Sequence, residues 1–208
     1  RVFGTRYLGS NPSSPAKHMD KRIGKFLGEG ANRRTYEYKL DQSLVIKFEH
    51  SRIKANQDEY NTYSILKRFG LEEYVAPCSL NSDNSLLMTK GIDLTPGKYE
   101  IPSVFFPTNL DNYKSVKGRT VLIDYDWRIR EQNGFLFWYM PPWDFESIAD
   151  TPGIENAAHR EYDLERVLSP QEQYNAPEDQ TAPDYFVALR FDQSSVREWF
   201  QNTRIIEV

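Results

Sequence analysis

Three features in the first third of the chain are of the residue types that handle phosphate. Gly28-Glu29-Gly30 is a glycine pair set between two strand-like segments, and the missing Cβ atoms let backbone N–H groups approach anionic oxygens. A tight hairpin uses the same residues, so the pair alone fits a plain turn as well. Lys47 follows the apolar run Leu44-Val45-Ile46, which would hold its ammonium beneath that turn as a point charge for phosphate. Taken singly, it also fits a solvated lysine on an edge strand. Glu59 shares one helical face with Tyr63 and Leu66, so packing that helix turns its carboxylate inward toward Lys47. An inward carboxylate needs a charged partner, because burying it alone is costly.

These groups require a scaffold, and the flanking residues supply one. Gly24 to Leu27, Thr35 to Tyr38 and Leu44 to Phe48 read as three short strands rich in aromatic and β-branched residues, with turns at Gly28-Glu29-Gly30 and Asp41-Gln42-Ser43. Residues 56–69 change to a helical period, with Tyr60 beside the inward face and Gly70 as the stop. Val75 to Leu80 and Ser85 to Met88 read as two further strands around the Asn81-Ser82-Asp83-Asn84 turn. The expected order is strand, strand, strand, helix, strand, strand.

With glycine turn, strand lysine and helix glutamate in this order, Val45-Ile46-Lys47-Phe48-Glu49 and Asp58-Glu59-Tyr60-Asn61-Thr62-Tyr63-Ser64-Ile65-Leu66 resemble the small lobe of the casein kinase I group of protein kinases. They are similar also to kinase-like proteins of bacteria and phages. The resemblance covers residues 21–95. It implies a nucleotide lid at Gly28 and Gly30, a phosphate contact at Lys47, an orienting ion pair from Glu59, and an adenine-pocket hinge at Leu86-Leu87-Met88-Thr89, with Met88 lining the pocket. A plain edge strand fits the last segment equally well. Arg33 stands where the family's lid has its third glycine, a departure that would stiffen the turn and bring a cation within reach of an anion.

Further along, Val121-Leu122-Ile123-Asp124-Tyr125-Asp126 resembles the strand and Asp-Phe-Gly metal element of kinases, with Asp126 in place of the glycine. Asp124 and Asp126 at i, i+2 on extended backbone face the same way and could share Mg²⁺; they could also simply end a strand. By the same resemblance Asn112 falls on the second metal ligand, Asn109 on the catalytic loop's lysine and Pro107 on its catalytic aspartate. A proline accepts no proton, and Asp111, the one nearby acid, is out of register. Too few residues separate the hinge-like segment from this loop for the two helices that scaffold a kinase large lobe.

Composition bounds the alternatives. With 208 residues, 39% apolar and 14% aromatic, the chain can bury a sizeable core. Its net charge of -4 gives no reason to expect nucleic acid as the main partner. No run approaches the roughly 20 apolar residues that span a bilayer. The single cysteine, Cys78, reads as a small hydrophobe before a strand and fits a reducing compartment. His18, His50 and His159 have no metal-ligand spacing. Residues 1–19, basic and without an acid, read as a flexible or partner-bound arm, a texture shared with organelle-targeting segments, mitochondrial ones included.

Thr120 to Tyr125, Phe135 to Tyr139 and Tyr185 to Arg190 read as strands, and Ser194 to Gln201 as a short helix. Residues 140–184, proline-rich and acidic, read as an extended or irregular strap needing a surface to rest on. Trp127, Trp138 and Trp143 with their aromatic neighbours suit core packing or a protein interface more than a base-stacking site, and a protein partner is expected along residues 127–185. The expectation is an α+β chain: a kinase-like small lobe at 20–95, a shortened large-lobe remnant at 96–139, and an irregular extension at 140–208 with a terminal strand and helix. Its expected role is a catalytically impaired binding or scaffold module that retains ATP and Mg²⁺. The rivals are a minimal phosphotransferase, with Asp111 or Asp126 in an unusual role, and a structural subunit with a decayed pocket.

Overall fold

A computed structural model describes residues 20–30, 32–50, 54–105, 109–125, 128–140, 146, 149, 158–163 and 185–208. The strands β1 (Ile23–Glu29), β2 (Arg33–Tyr38) and β3 (Leu44–Glu49) precede helix α1 (Ala55–Arg68), and β4 (Cys78–Leu80) and β5 (Leu86–Thr89) follow it. They build a five-stranded sheet in the order β1-β2-β3-β5-β4, antiparallel throughout. Leu86–Thr89 is therefore an interior strand, not an edge. Gly28 and Glu29 lie within β1, so the β1–β2 turn falls one to two residues later than the sequence suggests. Two register shifts in β1, between Ile23 and Phe26 and between Phe26 and Gly28, bend it there.

The period of two fixes which side chains face α1. Lys47 is paired with Thr35 on one side and Leu86 on the other, while Val45 is paired with Met88, which is paired with Cys78. All of these share one face. On the opposite face Tyr36 packs edge-on against Phe26 and Phe48, and the Arg22 guanidinium lies 5.6 Å from the Phe48 ring centre. Helix α1 buries Ala55, Asn56, Glu59, Thr62, Ile65 and Leu66, with Tyr60 and Tyr63 packed at the margin of the core. It ends where Gly70 takes φ +69° and the Leu71 N–H donates to Leu66 O at 2.9 Å, a reversal that favours glycine.

Downstream come β6 (Ile92–Asp93), β7 (Lys98–Pro102), β8 (Tyr113–Val116), β9 (Arg119–Leu122), β10 (Arg128–Gln132), β11 (Phe135–Met140), β12 (Ala158–Asp163), β13 (Tyr185–Phe191), helix α2 (Val196–Gln201) and β14 (Thr203–Glu207). The sheets are β6-β8-β9, β10-β11-β13-β12 and β14-β7. Lys117-Gly118 and Asn133-Gly134 close the β8–β9 and β10–β11 hairpins with positive φ at both residues, the twist that two-residue hairpin turns require. The described residues thus form an α+β fold of mostly antiparallel sheets with few helices. No described helix is long and apolar enough to cross a membrane.

One feature differs from the sequence reading, and one alternative left open there is decided. Strand β12 lies inside the segment read as extended or irregular, held by its register with the apolar strand β13. Strand β11 points Leu136 and Trp138 into the chain's own core, where the Trp138 ring lies 6.3 Å from that of Phe105 and 6.5 Å from that of Phe200. Trp138 is thus a core residue, because the two-residue alternation of β11 turns it inward. Trp127, Trp143 and residues 1–19 lie outside the described residues.

Candidate functional site

The Glu59 carboxylate is the hub. It is fully buried on α1 and takes Lys47 Nζ at 2.9 Å on Oε2 and 3.2 Å on Oε1. Arg33, on β2, donates Nη1 to the same Oε2 at 2.5 Å, and the Tyr125 backbone N–H reaches Oε1 at 3.2 Å. Three donor groups make four hydrogen bonds to one carboxylate. This satisfies its lone pairs and explains how a charge tolerates zero exposure.

The cluster extends to the segment after β9. Lys47 Nζ also donates to Ile123 O at 2.8 Å, and the Arg33 Nη2 donates to Asp124 Oδ1. Two cations and two carboxylates therefore form one chain: Lys47, Glu59, Arg33, Asp124. Its inner end is sealed. Its outer end is open, since the Asp124 side chain keeps 43% of its surface exposed while that of Lys47 keeps 8%.

The elements that position these groups explain the convergence. Lys47 and Glu59 meet because the inward face of β3 is covered by the stripe of α1 that carries Glu59. Asn56, also on that stripe, donates to Lys47 O at 3.1 Å and to Asn84 O at 2.8 Å, pinning the first turn of α1 to the sheet. Asp124 is delivered by the β8–β9 hairpin, which is docked through the Val75–Leu122 bridge and the Ala76 N–H to Leu122 O bond of 2.8 Å. Tyr125, completely buried, fixes the next residue by donating its hydroxyl to Ala76 O.

Of the remaining residues singled out by sequence, Asn112 stands beside this end of the cluster, because its carbonyl accepts the Ile123 N–H at 2.9 Å. Its amide oxygen and the Asp124 carboxylate are hard oxygen donors of the type Mg²⁺ takes. Asp126 and Pro107 lie outside the described residues. Asp111 is exposed on a short 3₁₀ turn, where its backbone N–H is capped by the Asn109 side chain. Met88 is buried in the core, paired between Val45 and Cys78. Among the described residues no three His, Cys, Asp or Glu side chains gather as metal ligands.

Gly28 and Gly30 have no atom within 4 Å of where a Cβ would stand, so neither is glycine for lack of space within the chain. The Gly30 N–H donates to Arg33 O at 2.9 Å, closing the hairpin that carries Arg33. Burial pushes the Cys78 thiol up to about 12, which keeps it protonated and unreactive at neutral pH. Tyr125 beside it is raised by the same burial.

Sequence reasoning brought Lys47 and Glu59 together and put Arg33 within reach of an anion, but did not identify Glu59 and Asp124 as its partners. The available signal was its charge: an arginine at a position that would otherwise take glycine, opposite two acids that need cations. No protein-family model matches the chain, and no curated protein matches it in sequence.

Proposed function

We propose that this chain is a kinase-like module that binds a nucleoside polyphosphate with a divalent cation and does not transfer the phosphoryl group. The observation that carries this is the chain of four charges, Lys47, Glu59, Arg33 and Asp124, ending at an exposed carboxylate. Stability does not explain it. An apolar pair between α1 and β3 would hold the helix as well or better, since desolvating buried ions offsets most of their attraction. Four charges brought to one place at that cost point to an ionic ligand.

In this reading Lys47, held by Glu59 at the inner end of the cluster, supplies positive charge behind phosphates seated at the open end. Asp124 and Asn112 hold the cation, whose chemistry is to neutralise the phosphates. The five-strand order with a helix between the third and fourth strands supports the kinase-like comparison, as does the meeting of Lys47 with Glu59. Asp111, exposed and held only through its backbone, gives no sign of serving as a base, which favours binding over transfer.

A thermal-shift titration with ATP and MgCl₂ tests the reading, because a ligand that binds only the native state raises its apparent stability. The full chain should shift saturably, and Lys47→Ala and Asp124→Asn should each lose the shift. Transfer of labelled phosphate to any acceptor, abolished by both changes, would instead establish the phosphotransferase. A second reading is favoured by the fact that each of the four charges already has a partner within the chain: a structural subunit whose pocket serves only packing. No shift with any nucleotide would select it.

A further inference from the structure

The charge of this chain is not spread evenly over it. In the sheet β10-β11-β13-β12 the backbone register aligns two cross-strand rows, Arg128-Tyr139-Ala188-Arg160 and Arg130-Phe137-Arg190-Ala158. Rows two residues apart share one face of a sheet. The other face belongs to the rows of Ile129, Leu136, Trp138, Val187 and Leu189, all buried in the core. All four arginines of these strands fall in the outer rows, and all three acids, Glu131, Glu161 and Asp163, fall in the inner ones. A merely solvated face mixes charges of both signs, whereas this one separates them. We propose that it binds single-stranded nucleic acid, with bases stacked on the rings of β11 and phosphates paired with the arginines around them.

Strand β11, Phe135-Leu136-Phe137-Trp138-Tyr139-Met140, is apolar on both faces, while an antiparallel strand with one wet face alternates. Its outer rings, Phe135, Phe137 and Tyr139, are half-buried, and Arg190 beside them is exposed. The Arg190 guanidinium lies 4.8 Å from the Phe135 ring centre. The Phe137 and Tyr139 rings are near parallel, at 16° with centres 6.3 Å apart. Asp192, the acid just past β13, is committed to Ser194 and Ser195. Rings alone would suit any apolar partner, and arginines alone any acid. Their interleaving across the strands suits a ligand that alternates flat rings with anionic groups, and successive bases can take successive rings. An acidic protein segment would satisfy the arginines yet leave the rings without planar partners. A duplex offers phosphates, but its bases are already stacked inside it. The inference does not rest on the nucleotide site, since none of these residues belongs to the Glu59 cluster.

The experiment is fluorescence anisotropy of the full chain with a labelled oligothymidylate of about ten nucleotides. Unlabelled duplex DNA and polyglutamate serve as competitors. Binding should saturate, and the log of the affinity should fall against log salt with a slope of about -1.4 for two neutralised phosphates. Arg190→Gln should flatten that slope by about 0.7. Phe137→Ala should weaken binding by about fivefold to a hundredfold, the loss of one stacked base, with the slope unchanged. Arg190 is exposed, so its replacement keeps the test open should Phe137→Ala fail to fold, and Phe135→Ala repeats the ring test at a second position. Absence of saturable binding at low salt would overturn the proposal. So would a folded ring variant with wild-type affinity, or an Arg190→Gln protein with the wild-type slope. Duplex DNA or polyglutamate competing as well as the unlabelled single strand would also overturn it, the latter in favour of an acidic protein partner.

Discussion

The region around Glu59 and the region around Phe200 are held together by opposite means. Around Glu59 the sheet and helix meet through charges and amide groups: Lys47, Arg33 and Asn56 are all buried there. Around Phe200 the packing is aromatic, with the rings of Phe105 and Tyr74 at 5.3 Å and that of Trp138 at 6.5 Å. Aromatic packing is non-directional in its main term and supplies stability chiefly through buried area. A buried charge network supplies little net stability but fixes where each group points. Under the proposed function the first region carries the ligand chemistry and the second the scaffolding.

Two substitutions should break this comparison with the largest effects. Glu59→Ala removes the carboxylate shared by two nearly buried cations and should cost about 3–5 kcal/mol in urea unfolding, while abolishing any nucleotide-induced shift. Phe200→Ala should cost about 3–5 kcal/mol through the cavity it opens, yet leave the shift on ligand addition intact. If Phe200→Ala, while still folded, loses ligand binding as Glu59→Ala does, the division of labour between the regions is wrong.

A smaller effect separates the two by pH. The Cys78 thiol, raised by burial to about 12, is on the site's sheet in β4 and next to Tyr125, also raised. A raised folded value means the native state holds its proton longer than the unfolded chain, so stability is fully present below the unfolded value near about 8.5. It falls as pH rises from there toward the folded value of about 12. Urea midpoints measured across this window should drop, and Cys78→Ala should flatten the drop. Phe200→Ala should leave its slope unchanged.

The smallest effect lies at the seam. Arg68 on α1 reaches Glu131 on β10, with the Arg68 side chain 57% exposed. Arg68→Ala should cost about 0.2–1 kcal/mol and less at high salt. A larger loss would mean that the two regions depend on each other through surface charge.

The two regions also differed in how far the residues alone disclosed them. Around Glu59, strands dense in aromatic and β-branched residues and a helix with a clear stop at Gly70 announce themselves, because local sequence and tertiary burial agree. The pairing of Lys47 with Glu59 followed from the cost of burying a lone carboxylate. Arg33 as the bridge to Asp124 did not follow, since that contact joins residues 91 apart in sequence and depends on how the β8–β9 hairpin docks. Around Phe200, Ala158–Asp163 carries no apolar alternation, so only its register with Tyr185–Phe191 reveals it as a strand. Strand β14 was likewise invisible, because it exists by pairing with the distant Lys98–Pro102. For Trp138 core and interface stayed open, because its burial partners, Phe105 and Phe200, arrive from far along the chain.

The most direct measurement is equilibrium dialysis of the purified chain against labelled ATP and MgCl₂. Saturable binding approaching one nucleotide per chain, lost in Lys47→Ala that circular dichroism shows to be folded, is the predicted result. Absence of saturable binding, or equal binding by the two proteins, would contradict a nucleotide site at the charge cluster.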